Sequence, residues 1–290
     1  MARGVSIHIG LNRVGPARYD GWDGALRGCV PDARAMQSLA SARRFETSML
    51  LDGQATAQAV QDAIGNAAGA LADGDLLLVT YSGHGGQIED TGDEERDGLD
   101  ETWVLHDRQL IDDELYALWG RFRPGVRILV LSDSCHSGSI TRLRFYETLY
   151  DEPATRAAAR AATRAAASAD DARPSAFRAM PEARARQNRE ANRALYDDIQ
   201  RAHPAGDRGN VAAGVILISG CQDNQLSGDL PTGGVFTRTL LRVWDEGRFA
   251  GGHRQFHRRI CSQMPPSQTP NLLFVGAVGR AFESQVPFGI

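Results

Sequence analysis

Two apolar runs in the sequence end on side chains able to do covalent chemistry. LLLVTYSGHGG (76–86) carries His84 just beyond its apolar stretch, and RILVLSDSCHSG (127–138) carries Cys135 in the same position. If the two runs are neighbouring strands of an open α/β sheet, the loops at their carboxyl ends line one crevice, and His84 meets Cys135 there. The chemistry that pair permits is thiolate attack on a carbonyl, with the imidazole handling the leaving group's proton. A nearby imidazolium would lower the thiol's pKa and hold a thiolate at neutral pH. Gly85 and Gly86 let the backbone approach a substrate, so the amides of Gly85 and Cys135 are candidates for an oxyanion hole. Taken alone, a cysteine at a strand end is ordinarily a small buried apolar residue, and a histidine beside glycine is a turn residue. One of each at matching strand ends favours the catalytic reading.

The elements that would position them follow an α/β alternation with a mainly parallel sheet. Strands are expected at 5–11, at 75–86 running into a glycine loop, at 102–105, at 126–138 ending in a polar turn and at 215–224, with a last edge strand or hairpin at 271–276. Helical spacing runs from Asp32 to Ala42, from Thr56 to about Ala72, onward from Asp112, and from Thr237 to Glu246. A chain of 290 residues with 42% hydrophobic content can bury a core without staples. No apolar run reaches the roughly 18–20 residues of a membrane span. The opening MARGVSIHIG lacks an apolar signal region and a cleavage site, so a cytoplasmic location is expected. Four scattered cysteines, Cys29, Cys135, Cys221 and Cys261, form no CxxC pair and suggest a reducing compartment.

Residues 142–210 break the pattern. They hold 13 arginines against 10 acidic residues, many alanines and few large apolar side chains. The stretch reads as an insertion, partly helical and partly mobile, that cannot bury much. It divides a single domain into regions 1–141 and 211–290. Its mild positive excess and the chain's net charge of −4 give no footing for nucleic-acid binding. All 32 basic residues of the chain are arginine, a bias expected of a GC-rich bacterial genome.

YSGHGG around His84 and DSCHSGS around Cys135 resemble the metacaspases, the caspase-like cysteine peptidases of clan CD. LRGCVPDARAM (26–36), ISGCQDNQLSGD (218–229), GGVFTRTLL (233–241) and SQTPNLLF (267–274) extend the similarity over nearly the whole chain except the insertion. The caspase signature QACRG is absent, and DSCHSG stands in its place. The resemblance implies a caspase-like three-layer α/β fold, a mainly parallel sheet flanked by helices. It implies His84 as general acid/base, Cys135 as nucleophile, and cleavage of protein or peptide substrates after Arg or Lys. Cys29 and Asp32 match the spacing of the family's L-x-G-C motif and its specificity-pocket Asp. Asp133 and Ser82 lie two residues before Cys135 and His84, hence on the same side of their strands if extended. Carboxylates and a hydroxyl around one pocket suit a guanidinium. Without the resemblance, Asp32 reads as a helix cap and Asp133 as a turn residue.

The chemistry itself needs no cofactor. Many metacaspases use calcium as activator, and Asp97, Asp100, Asp112 and Asp113 are the candidate oxygen ligands. A further family aspartate, seven residues past the nucleophile, is Arg142 here. Asp93, Glu95, Asp97 and Gly98 mimic the front of an EF-hand loop, but its twelfth position is Val104. This acidic stretch reads equally as a calcium site and as a solvated hairpin. His136 adjoins Cys135 but points away from it on an extended strand end. His253 and His257 read as part of an exposed basic surface, and Cys29, Cys221 and Cys261 otherwise as structural thiols. The many arginines of the insertion, facing an acidic pocket, suggest self-cleavage. The alternative is a non-proteolytic caspase-like scaffold, whose mark would be a damaged dyad or pocket.

Overall fold

Strands buried on both faces build the centre of the molecule. The computed structural model describes residues 2–89, 99–135, 176–203, 210–221 and 225–290. Strands β1 (Gly4–Gly10), β2 (Glu46–Leu51), β3 (Leu76–Ser82), β7 (Arg127–Asp133), β9 (Gly214–Ser219) and β12 (Asn271–Gly276) form a six-stranded sheet. Their order is β12-β9-β7-β3-β1-β2, with only β12 antiparallel to its neighbour. Leu77, Val79, Ile128 and Val130 face a layer containing α2 (Ala57–Ala70) and α3 (Asp112–Trp119). Leu76, Leu78, Leu129 and Leu131 face the opposite layer of α1 (Cys29–Ala42), α6 (Val235–Trp244) and α7 (His253–Cys261). Both faces are covered, which is why β3 and β7 read as unbroken apolar runs.

Local chemistry sets the element ends. Thr56 caps α2 by accepting a hydrogen bond from the Ala59 amide at 3.2 Å. Gly10, where β1 ends, lets the first turn of α1 approach closely. A Cβ there would lie 2.6 Å from the Cys29 carbonyl oxygen. Immediately beyond His84, β4 (Gly85–Glu89) pairs with β5 (Leu99–Val104), which pairs with β6 (Gln109–Ile111). A third small sheet joins β8 (Ala176–Phe177) to β10 (Gly228–Leu230) and β11 (Gly233–Gly234).

The described part of the Ala/Arg-rich stretch corrects one expectation. Residues 176–203 do pack: Arg178, Met180 and Tyr196 are buried, and α4 (Glu182–Ala191) and α5 (Arg193–Ala202) form a helical pair. They dock through buried polar side chains together with a small apolar contact of Tyr196 and Ile199 on Ile88 and Ile111, too sparse a pattern for hydrophobic periodicity to reveal. Residues 142–175 and the acidic 90–98 lie outside the described residues. No helix among the described residues is long and apolar enough to cross a membrane.

The close contact at Gly10 is testable by urea unfolding. Gly10→Ala should cost ~1–3 kcal/mol, because α1 must shift away from β1. Gly69→Ala, on α2 with open space around it, should instead gain about 0.5–1 kcal/mol.

Candidate active site

The parallel pairing of β3 and β7 sets Ser82 directly opposite Asp133. His84 and Cys135 each follow two residues later, so both loops leave the sheet side by side. The loops touch closely enough that a Cβ on Gly85 would overlap the Cys135 carbonyl. Glycine is therefore required at that position. The amides of Gly85 and Cys135 converge on one acceptor, the carbonyl oxygen of Arg178, at 2.9 and 3.0 Å. Two backbone donors aimed at a single peptide oxygen are the arrangement that stabilises a tetrahedral oxyanion.

Arg178 sits in the crevice as a bound peptide would. Its amide donates to the Ser227 carbonyl at 3.0 Å, and the preceding β8 pairs antiparallel with β10. After it, Ala179 bridges Gly85, and the Met180 amide donates to the Gly85 carbonyl at 2.7 Å. The Arg178 guanidinium is fully buried among carboxylates: Asp32 at 2.7 Å, Asp133 at 3.0 Å and Asp229 at 2.9 Å. Its Nη1 also donates to the Ser82 hydroxyl at 2.7 Å. Asp32, Asp133 and Ser82 thus meet around the guanidinium of the chain's own Arg178. Asp32 does not cap its own helix; it accepts hydrogen bonds from Ser82 and from the Gly234 amide. Asp133 accepts from Ser227 and from the Thr237 amide and hydroxyl rather than serving a turn.

Sequence reasoning missed Asp229. Its Oδ1 accepts from both Nε and Nη2 of Arg178, at 3.2 and 2.9 Å. The amides of Arg27 and Gly28 hold the same carboxylate. It lies on a three-residue strand, too short to show alternation. Cys29 starts α1 beside this pocket, and burial pushes its thiol well up, which suits packing rather than thiolate chemistry.

His84 Nε2 donates to the Gly24 carbonyl at 3.0 Å, which fixes the ring's tautomer. Its Nδ1 is buried on the side of the ring nearer the Ala179 backbone and makes no hydrogen bond of normal geometry. Trp22 packs against the imidazole with ring centroids 4.9 Å apart. Neither Trp22 nor Gly24 carried a sequence signal. Burial lowers the His84 pKa to about 4. The ring is therefore neutral at pH 7 in this closed chain, contrary to the imidazolium expected from the pairing, because covering the site strips the ring of solvent. Cys135 is buried, and its Sγ accepts from the Ser227 amide.

Three of the four candidate acidic positions lie within the described residues. Asp100 lies on β5 and accepts from Gln200 at 2.7 Å, while Asp112 and Asp113 start α3. Asp97, Arg142 and His136 lie outside the described residues. Among the described residues, no three His, Cys, Asp or Glu side chains are grouped to hold a metal. His253 is buried against Phe282, and His257 donates to the Pro270 carbonyl, so the pair is not one exposed surface.

A mainly parallel sheet between two helical layers, with Cys and His loops at adjacent strand ends, defines a caspase-like protein. A family model described as the caspase domain matches residues 14–282, and the chain belongs to that family, Peptidase_C14. It is similar to a Geobacter sulfurreducens protein known from its crystal structure, with 45% identity and a TM-score of 0.84 over 99% of this chain and 98% of that one. Caspase-1 of Spodoptera frugiperda, at 10% identity and a TM-score of 0.53 over 94% of this chain and 86% of its own, shares the fold. Metacaspase-1 of Mycosarcoma maydis is 34% identical over 157 residues, which cover 49% of this chain and 38% of that protein. The chain therefore spans well under half of that curated relative.

Burial of the histidines makes stability pH-dependent. His8, His84 and His253 are all lowered to about 4, chiefly by burial, from an ordinary value of 6.5. A lowered pKa gives stability that is present above about pH 6.5 and lost as pH falls towards 4. Asp32, raised to about 6 by burial with Arg178 opposing, works the other way with a single proton. Urea midpoints of Cys135→Ala should fall steeply between pH 6.5 and 4. Flat midpoints over that range would contradict the buried, neutral histidines.

Proposed function

We propose that the chain is a cysteine endopeptidase that cleaves after arginine, and after lysine more weakly, and that its first substrate is its own Arg178–Ala179 bond. The observation carrying this reading is Arg178 itself, with its side chain in a three-carboxylate pocket and its carbonyl on two amide donors beside Cys135. Family membership supports the reaction class.

In this mechanism His84 Nδ1 accepts the Cys135 proton as the sulfur attacks the Arg178 carbonyl carbon. The Gly85 and Cys135 amides hold the oxyanion. His84 then delivers the proton to the Ala179 nitrogen, the C–N bond breaks, and a thioester remains on Cys135. Water, deprotonated by His84, attacks the thioester, releasing the Arg178 carboxylate and restoring the thiol. Specificity follows from charge and shape. A planar fork satisfies Asp32, Asp133 and Asp229 together, whereas an ammonium offers one point charge and nothing at the Nε position.

Fluorogenic peptides with Arg, Lys or Asp at the cleavage position test the assignment. Arg substrates should turn over fastest and Asp substrates not at all, and Cys135→Ala should be inactive. Activity on Asp alone would overturn the pocket, and inactivity on all three would favour a scaffold. Sequencing of the processed chain should find a new amino terminus at Ala179, absent in Arg178→Gln.

Asp229→Asn tests the discrimination separately. Loss of the Nε partner should lower kcat/KM for Arg about tenfold or more and affect Lys less. An unchanged Arg:Lys ratio would remove Asp229 from specificity.

A further inference from the structure

We propose a further activity at the same site, resting on the self-cleavage reading above: peptide-bond resynthesis, in which the amine released at Ala179 is held in place and re-forms the bond to Arg178. The resting chain then stays whole while its catalytic groups turn over.

Both sides of the Arg178–Ala179 bond are anchored independently of that bond. On the acyl side the guanidinium is locked among Asp32, Asp133 and Asp229, and the Arg178 amide is paired with Ser227. On the amine side Ala179 bridges Gly85, Met180 is only 2% exposed, and α4 starts at Glu182. The α4–α5 pair is fastened by buried polar bonds. Asn188 donates to the Arg18 carbonyl at 3.0 Å and accepts from Gln109 Nε2 at 3.1 Å. The Tyr196 hydroxyl accepts from the Gln109 amide at 3.1 Å. Gln200 reaches Asp100 at 2.7 Å and the Glu89 carbonyl at 2.9 Å. Breaking the scissile bond disturbs none of these, so the new amine has nowhere to go.

The return step balances without any co-reactant. The Ala179 amine gives a proton to neutral His84 as its nitrogen attacks the thioester carbonyl. The C–S bond breaks, the C–N bond forms, and Cys135 takes the proton back. An oriented intramolecular nucleophile reaches effective molarities of about 10⁵ M or more, beyond any concentration of water. Water must also enter a site in which Cys135 is fully buried and His84 nearly so. The thioester therefore returns to peptide far more often than it hydrolyses, until α4–α5 undocks.

Hydroxylamine, a small nucleophile that intercepts thioesters, separates the two fates. The full chain is incubated at neutral pH with and without it, and products are read by intact mass. Hydroxylamine should speed loss of the intact chain by ~10-fold or more, leaving an Arg178 hydroxamate, and Cys135→Ala should stay whole. Gln200→Ala combined with Tyr196→Phe should accelerate cutting in plain buffer and shrink the hydroxylamine effect. Cutting after Arg178 at the same rate with and without hydroxylamine, giving only the acid, would overturn resynthesis and leave self-cleavage standing. A chain that stays whole in both conditions, with the paired variant also uncut, would overturn self-cleavage and resynthesis together.

Discussion

A guanidinium with no exposure to water constrains everything around it. Arg178 can be buried only because three carboxylates and a hydroxyl meet it; removing one partner of such a pair costs about 3–5 kcal/mol. Three carboxylates around one cation leave surplus negative charge, and backbone donors absorb it. Gly234 donates to Asp32, Thr237 to Asp133, and Arg27 and Gly28 to Asp229. These amides lie at or just before the starts of α6 and α1, where helix ends present unpaired donors. The two helices flanking the pocket are therefore part of its electrostatics as well as its walls.

Burial also shapes the reactive groups. The imidazole is neutral, held by one carbonyl and one indole, and the amides of Gly85 and Cys135 are already occupied by the Arg178 carbonyl. Under the proposed self-cleavage, the closed chain is a preorganised complex whose chemistry depends on where the amine side goes rather than on assembling new contacts. Under the same proposal the docking of α4–α5 bears on reactivity although no residue of that pair touches Cys135 in the interactions described.

Much of this was legible in the sequence, and the reasons are specific. His84, Cys135, Ser82 and Asp133 sit at the ends of long buried strands, where apolar runs and period two leave a clear trace. Asp32 was visible only through the family resemblance, whose motif its spacing from Cys29 matches. Arg178 was one of thirteen arginines in a stretch whose composition argued against burial, and a charge buried by pairing leaves no hydrophobic signature. Tyr196, Asn188 and Gln200 escaped for the same reason. Trp22 and Gly24 lie in irregular chain, where neither period applies. β2, half buried at a sheet edge, lacks the apolar run that marked its neighbours.

The match of Ser82 to Asp133 across β3 and β7 has a consequence for how such a chain can vary. Side chains alternate between faces, so the pocket depends on whether a residue stands at an odd or even place along its strand. Adding one residue within either strand would turn its pocket side chain towards the α2–α3 layer while leaving composition almost untouched. Adding two would restore the face and lengthen the reach. Variation in the strands that carry this site is thus subject to a parity rule, while the loops between elements can change length by any number.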